Sequence, residues 1–285
     1  MKPLVAYWSV LKPERTFANV MTTGAGLLYA SAWHIDWFLA FMTIVGTSLV
    51  VMSACAANNY LDRNLDAYMP RTKKRPLVTG TVLPGVVVAL AVVLGLVGFT
   101  LLLAYVNWLT ALLGLIGYID YVVLYGWTKR TSVHSTLVGT ISGAIPIVAG
   151  YTAVTGQLDT TALLLGLAMV FWQMPHFYAI GIFRLEDYRA GNLPIWPVRY
   201  GVRSTQMWML VYTVLYLAAV VALAVAGAGW VFGVVMGLVS GYWLGRGVAG
   251  LRSQEPITWA RGMFGLSLVV LLVFSAAVAA APLLP

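Results

Sequence analysis

The chain has 285 residues, 61% of them hydrophobic and only 9% charged, with a mean hydropathy of +0.87. An average soluble domain is about 25% charged, so a water-soluble enzyme, a disordered chain and a nucleic-acid binder are excluded. The net charge of +8 and pI near 9.6 then read first as a record of membrane orientation and only second as attraction for a polyanion.

The amino-terminal stretch 1–15 is polar and carries Lys2, Lys12 and Arg15. It has no short apolar core followed by a small-residue cleavage site, so it is expected to be a cytoplasmic tail. Beyond it, windows of about 20 apolar residues, the length that crosses a bilayer as a helix, predict nine spans. They lie near 16–33, 37–57, 84–106, 109–127, 135–154, 161–181, 207–226, 229–245 and 263–283. The expected fold is all-α, a polytopic integral membrane bundle forming one membrane-embedded domain over 1–285. With the amino terminus inside, all 17 Lys and Arg fall in inside segments and none outside. One span more or fewer would put a basic cluster on the outer face. The outer connections carry Asp36 and Asp159, whereas six of the nine acids (Glu14, Asp62, Asp66, Glu186, Asp187 and Glu255) share the basic face. The orientation rule makes no such demand on acids. Cys55 is the single cysteine, which excludes an intrachain disulfide and a thiolate metal cluster.

Two inside segments are long, 58–83 after the second span and 182–206 after the sixth. In the first, Asn58, Asp62 and Asp66 are spaced by four. Each such step advances about 40° around a helix, so the three face one way. Two carboxylates and an amide oxygen are hard ligands suited to Mg²⁺, and like charges four apart repel without a counter-cation. The basic run Arg71, Lys73, Lys74 and Arg75 follows at once. Carboxylates for a metal beside a row of cations describe a site for a metal-bound diphosphate. The plainer alternative is a solvated helix end with a topology-setting loop.

The second segment follows Trp172-Gln173-Met174-Pro175-His176 and contains Arg184, Glu186-Asp187-Tyr188 and Arg189. Read as one helix, it puts His176, Ile180 and Asp187 on one face, with His176 about 16 Å deeper than Asp187. An imidazole among apolar side chains is costly unless paired or liganded. It is either a ligand or a packed core histidine bonded to a carbonyl.

Asn58-x-x-x-Asp62-x-x-x-Asp66 followed by Arg71-Thr72-x-x-Arg75-Pro76 resembles the first aspartate-rich motif of the UbiA-type intramembrane prenyltransferases. Met69-x-Arg71-Thr72 is similar to the form found in the protohaem IX farnesyltransferase (haem O synthase) branch of that family. Trp172-Gln173-Met174-Pro175-His176 and Asp187-Tyr188-x-x-Ala190 resemble its second region. Lys129-Arg130-x-Ser132-x-x-x-Thr136-Leu137-x-Gly139-x-x-Ser142-Gly143-Ala144-x-Pro146 resembles its middle segment. The similarity covers nearly the whole chain in three ordered blocks, and nine spans is that family's topology.

The resemblance implies transfer of a farnesyl group from farnesyl diphosphate to a vinyl group of haem b, with water addition, giving haem O and diphosphate. It implies Mg²⁺ as cofactor, with haem b a substrate. On the family's pattern Asp62, Asp66 and Asp187 are the catalytic residues and, with Asn58, the metal ligands. Arg71, Lys73 and Arg75 would bind phosphate oxygens, and Lys129, Arg130 and Arg184 would meet diphosphate or haem propionates. Tyr188 would belong to the substrate site, and His176 would ligate the iron or orient the porphyrin. The short polar tail suggests a bacterial inner-membrane protein surrounded by lipid, its amino terminus and active-site loops cytoplasmic; in an organelle that face would meet the matrix. The protein's partners would be haem A synthase or terminal-oxidase assembly components, and no nucleic acid.

The chain departs from the pattern at Pro146-Ile147, where the family often has two prolines, and at Tyr125, displaced to four residues before Lys129. It also has His134 where no histidine is expected, which favours His176 for haem. Asp120, mid-span and outside the motifs, reads as a helix–helix hydrogen bond. A family member acting on an aromatic quinone precursor would share the aspartates and need no His176. A transporter or assembly factor would need no spaced oxygen ligands beside a basic run.

Overall fold

The computed structural model describes residues 3–284, which form twelve α-helices and, among the described residues, no β-strand. Two helices at the amino terminus, α1 (Pro3–Val10) and α2 (Pro13–Ser31), meet at Lys12. After them come α3 (Trp37–Asp66), α4 (Pro84–Tyr105) and α5 (Trp108–Ile119), which passes through a π-helical turn, Asp120–Leu124, into α6 (Tyr125–Thr131). The rest are α7 (Ser135–Thr155), α8 (Thr160–Phe183), α9 (Leu185–Ala190), α10 (Trp196–Leu223), α11 (Gly229–Gly250) and α12 (Pro256–Ala280).

Seven segments are long and apolar enough to cross a membrane. One of these, Trp196–Gly250, reverses where Gly227 (φ 132°) and Gly229 (φ 85°) adopt conformations that side chains resist, so it counts as two crossings. The ninth pass is α2. It is too polar to qualify by composition, yet it packs against α3, α7 and α12 inside the bundle. The nine predicted spans thus correspond to seven membrane-length segments, one of them folded back on itself, together with α2.

Several of their ends differ from expectation, and three differences bear on the site. α3 stays helical through the polar stretch to Asp66, so its last turns carry Asn58, Asp62 and Asp66. α10 begins at Trp196, about three turns before the expected 207, with a non-helical residue at Gly201 (φ 79°). The third difference corrects an expectation. α8 ends at Phe183, and Arg184 (φ −112°, ψ 22°) turns the chain before α9. His176 and Asp187 therefore do not share one helical face. The following segment doubles back over α8, coming so close at Gly181 that a Cβ there would stand 2.9 Å from Pro197.

The end opposite the basic loops is closed by side-chain caps. Asp36 accepts from the N–H groups of Phe38 and Leu39 at 3.0 Å, Asn107 from Thr110 at 2.8 Å and Asp159 from Ala162 at 3.0 Å. These satisfy amides that the first turn leaves unpaired, which accounts for both acids on that face. The main core joins α2, α7, α8, α10, α11 and α12 around the fully buried Tyr216, Phe232, Trp243 and Phe274. A second cluster of Ala6, Val10, Ala56, Leu77, Val82, Val87 and Ala91 straps α1 and the loop after Pro76 onto α3 and α4. Asn59 Nδ2 donates to the Val10 carbonyl at 2.6 Å and fastens the strap.

Between apolar helices in lipid, close backbone approach replaces the hydrophobic drive. A Cβ on Gly26 would lie 2.1 Å from the Ile147 carbonyl oxygen, and one on Gly150 would lie 1.9 Å from that of Thr23. We expect Gly26→Ala or Gly150→Ala to force α2 and α7 apart at a cost of about 1–3 kcal/mol each. Gly24→Ala, which meets nothing within 4 Å, should be neutral. Thermal unfolding in detergent checks this, with the midpoint lowered only in the first two.

Candidate functional site

The last turns of α3 carry Asn58, Asp62 and Asp66, all buried. Asp62 accepts from Lys129 Nζ through Oδ2 and from Arg130 Nη2 at 3.1 Å through Oδ1. Arg130 also donates to the Leu61 carbonyl at 3.1 Å. Both cations lie in the last turn of α6, where the carbonyl end of a helix favours positive charge. The Asn58 amide stands between two lysines. In one orientation its oxygen accepts from Lys12 at 3.5 Å. Turned over, it accepts from Lys129 at 3.3 Å and donates to Asp62 at 3.2 Å, which satisfies both ends. Asp66 accepts from Arg75 Nη1 at 2.6 Å, and Thr72 Oγ1 donates to the Asp66 carbonyl at 2.8 Å. That second bond folds the loop back so that Arg75 returns to the helix end.

A cavity of about 340 Å³ opens beside the Asp66–Arg75 pair. Five cations (Lys12, Arg15, Arg71, Lys74 and Arg75) face it against two carboxylates, Glu14 and Asp66. An excess of positive charge in a confined mouth is an anion site. Arg71 and Arg75, expected to bind phosphate oxygens, both line it. Lys73 is exposed and off the wall, and Lys74 lines it instead. Lys12, Arg15 and Lys74 were not assigned to the site from sequence. The one signal for Lys12 and Arg15 is Lys12-Pro13-Glu14-Arg15, charges gathered at a proline that starts a helix, and Lys74 stood in the basic run without a role of its own. Lys12 is buried in a left-handed conformation (φ 52°). Burial first, and then Arg15, bring its ammonium down to about 7 from the usual 10.5. Arg15 donates to Tyr121 Oη at 3.0 Å, and Tyr121 stacks on Tyr125 with ring centroids 5.9 Å apart. Lys129 Nζ lies 5.4 Å from the Tyr125 ring centre.

The two long polar segments are joined by an apolar cluster. Met69 packs with Leu193 and Ile195, flanked by Leu65, Tyr188 and Val198. Burial raises the Tyr188 phenol above its ordinary range. Asp187 pairs with Arg184 at 3.8 Å. Among the described residues, no three acidic or histidine side chains converge closely enough to share a metal ion. Asp62, Asp66 and the Asn58 oxygen still fit a hard cation, because Mg²⁺ is commonly held by one or two carboxylates with substrate phosphates and water completing its shell. A second cavity of about 330 Å³ has Arg130, Thr131, Asn192 and Arg199 on its wall.

His176 is buried in α8, its Nδ1 2.7 Å from Ser267 Oγ of α12. His134 is exposed at the start of α7 against Trp196. Asp120 occupies the π-helical turn and accepts from the Ser142 N–H of α7 at 3.0 Å. That is the helix–helix bond expected of it.

A bundle of membrane-length helices whose mouth gathers buried carboxylates and cations defines a membrane protein with an anion site at one end. A model of the UbiA prenyltransferase family matches residues 19–280, and the chain belongs to that family. It is an integral membrane protein. The chain is 42% identical over 281 residues to a "Protoheme IX farnesyltransferase" of Photorhabdus laumondii, covering 98% of this chain and 96% of that one. It is also 42% identical over 267 residues to the protein of that name in Yersinia pseudotuberculosis, covering 93% and 90%. A solved UbiA homologue from Archaeoglobus fulgidus bound to GPP and Mg²⁺ has the same fold, with a TM-score of 0.69, 12% identity and 96% and 99% coverage. One from Aeropyrum pernix gives a TM-score of 0.72 at 20% identity, over 93% and 96%.

The depressed Lys12 gives the cavity a pH dependence. The ammonium is charged below about 7 and neutral above, so its help to an anion is present at low pH and lost as pH rises. Comparing the chain with Lys12→Met cancels the ligand's own titration. The ratio of their pyrophosphate affinities, measured by calorimetry, should favour the native chain at pH 6 and shrink toward one by pH 9.

Proposed function

We propose that the chain transfers the farnesyl group of farnesyl diphosphate to a vinyl group of haem b, with addition of water, giving haem O and diphosphate. The observation that carries this reading is the mouth itself, where five cations line a cavity at the end of the stripe that holds the buried Asp62 and Asp66, with Asp66 on its wall. The full-length relationship to proteins named for that reaction supports it.

Diphosphate leaves only when its charge is neutralised. Arg71, Arg75 and Arg15 offer planar forks to the phosphate oxygens, with Lys12 and Lys74 as point charges. Lys73 faces outward and adds to the field that draws the anion in. Asp62, Asp66 and Asn58 would hold a divalent ion such as Mg²⁺, with Asp187 the donor from the opposite segment. Bound there, the ion would offset negative charge on the leaving oxygens. Lys129 and Arg130 hold the Asp62 carboxylate in place at the end of α3.

The carbon–oxygen bond breaks with its electron pair leaving on diphosphate. The Tyr121 and Tyr125 rings beside the mouth can face the allylic cation that results. The vinyl π electrons of haem then form the new carbon–carbon bond. Positive charge passes to the carbon next to the macrocycle, where water adds and gives its proton to solvent. His176 binds the haem iron. Arg184, with Arg130 and Arg199 of the second cavity, meets the propionates, and Tyr188 holds the two polar segments together. The whole chain, 1–285, works as one membrane-embedded domain. The clustering of basic residues at the mouth supports a cytoplasmic mouth and amino terminus, and the bacterial relatives support an inner membrane.

Purified protein incubated with haem b, farnesyl diphosphate and Mg²⁺ should yield a porphyrin heavier by one farnesyl group and one water, read by mass spectrometry. Unmodified haem together with a prenylated phenolic acid would assign the other acceptor class. Asp62→Ala should insert normally and lose turnover by at least about 100-fold, the scale of removing transition-state charge stabilisation.

A further inference from the structure

The ring of His176 lies between Trp172, with ring centroids 5.0 Å apart, and Phe264, at 4.9 Å. Its Nδ1 meets Ser267 Oγ at 2.7 Å. That hydroxyl has one proton, and its 2.6 Å bond to the Phe264 carbonyl oxygen claims it, since a carbonyl only accepts. Ser267 Oγ is therefore the acceptor toward the imidazole, and Nδ1 carries the N–H. A neutral imidazole protonated at Nδ1 has its lone pair on Nε2. Nε2 makes no hydrogen bond among the described residues, and the residue keeps 9% of its surface open. Ser267 also holds the preceding turn of α8, because Trp172 Nε1 donates to its carbonyl oxygen at 2.8 Å. One fully buried serine thus fixes both the ring that flanks the imidazole and the proton on it.

We propose that Ser267 is the positioning residue for haem. It locks His176 in the Nδ1–H form and leaves Nε2 as the atom that binds iron. This rests on haem being the acceptor substrate. A hydrogen bond to the far nitrogen of a ligating imidazole sets its orientation and raises its basicity, and losing one typically costs 10–100-fold in metal affinity. A histidine serving only as a packed tie between α8 and α12 would gain nothing from an unpaired Nε2.

The test titrates haem b into the full-length chain, followed by absorption and, in the reduced state, by the iron–histidine stretch in resonance Raman. Farnesyl diphosphate affinity is measured in parallel. Ser267→Ala should weaken haem binding about 10–100-fold and lower the stretching frequency, while farnesyl diphosphate affinity stays native. Ser267→Thr, which keeps the hydroxyl, should restore both haem readings. If Ser267→Ala does not fold, Ser267→Cys, a weaker acceptor at the same place, should show the same losses. Native haem affinity with an unshifted stretch in the alanine or cysteine variant overturns the proposal. If His176→Ala meanwhile loses the stretch, iron binding by His176 stands and only the serine's role falls. An unchanged spectrum in His176→Ala removes the ligand and the proposal with it. Failure of the native chain to bind haem at all overturns the substrate reading itself.

Discussion

Buried carboxylates constrain this molecule more than any other feature. Asp62 and Asp66 end a membrane-spanning helix and are almost wholly covered by protein. A carboxylate taken out of water costs several kcal/mol unless it is paired and hydrogen-bonded. Each therefore needs a cation from elsewhere in the chain, Lys129 and Arg130 for Asp62 and Arg75 for Asp66. These pairs decide where α6 must end and how sharply the loop after α3 must return. The rest of the mouth follows, since the returning loop brings Arg71 and Lys74 to the cavity wall.

A pair formed under that constraint is also poised for exchange. Without ligand the cations neutralise the carboxylates. A diphosphate with its metal ion brings both charges at once, so the cations can turn to phosphate and the carboxylates to the metal with little change in total charge. The same arithmetic makes truncating either partner more damaging than removing both, because the survivor is left buried and uncompensated. It also explains why so many cations crowd one face of a chain this short of charge. The orientation rule asks for basic residues near the membrane, and the anion site asks for them at particular points.

That double duty set the limit of what could be read in the sequence. The nine spans were legible because charge is excluded from lipid, and the stripe of Asn58, Asp62 and Asp66 was legible because a spacing of four is local. Lys12 and Arg15 were not legible as site residues, since a basic residue beside a membrane looks the same whether it sets topology or binds an anion. Only the fold, which straps α1 to α3 through Asn59 and Val10, shows where they point. The break at Arg184 was hidden because the return of the chain over α8, which brings Pro197 beside Gly181, is a long-range arrangement. Ser267 was hidden for the same reason in stronger form, being 91 residues from the histidine it contacts. The UbiA resemblance rested on three local blocks and held over residues 19–280. What it could not supply was the pairing between blocks.

On the proposed reaction, the arrangement also separates two cations that need opposite surroundings. The farnesyl cation has only its allylic system to spread its charge and must not meet water, whereas the haem-bound cation is delocalised into a macrocycle and must meet water to become the alcohol. His176 lies eight residues inward of Arg184 along the chain, about 12 Å by helical rise while α8 lasts, and its ring is walled by Trp172 and Phe264. A porphyrin fixed at that depth has one edge toward apolar helices and the other toward the hydrated basic mouth. Its propionates, being charged, must take the hydrated side, next to Arg130 and Arg199. The polarity of the bundle, dry within and basic at the rim, therefore orients haem before any residue touches its vinyl group. Positioning of the iron by a single imidazole is then enough to fix the remaining freedom.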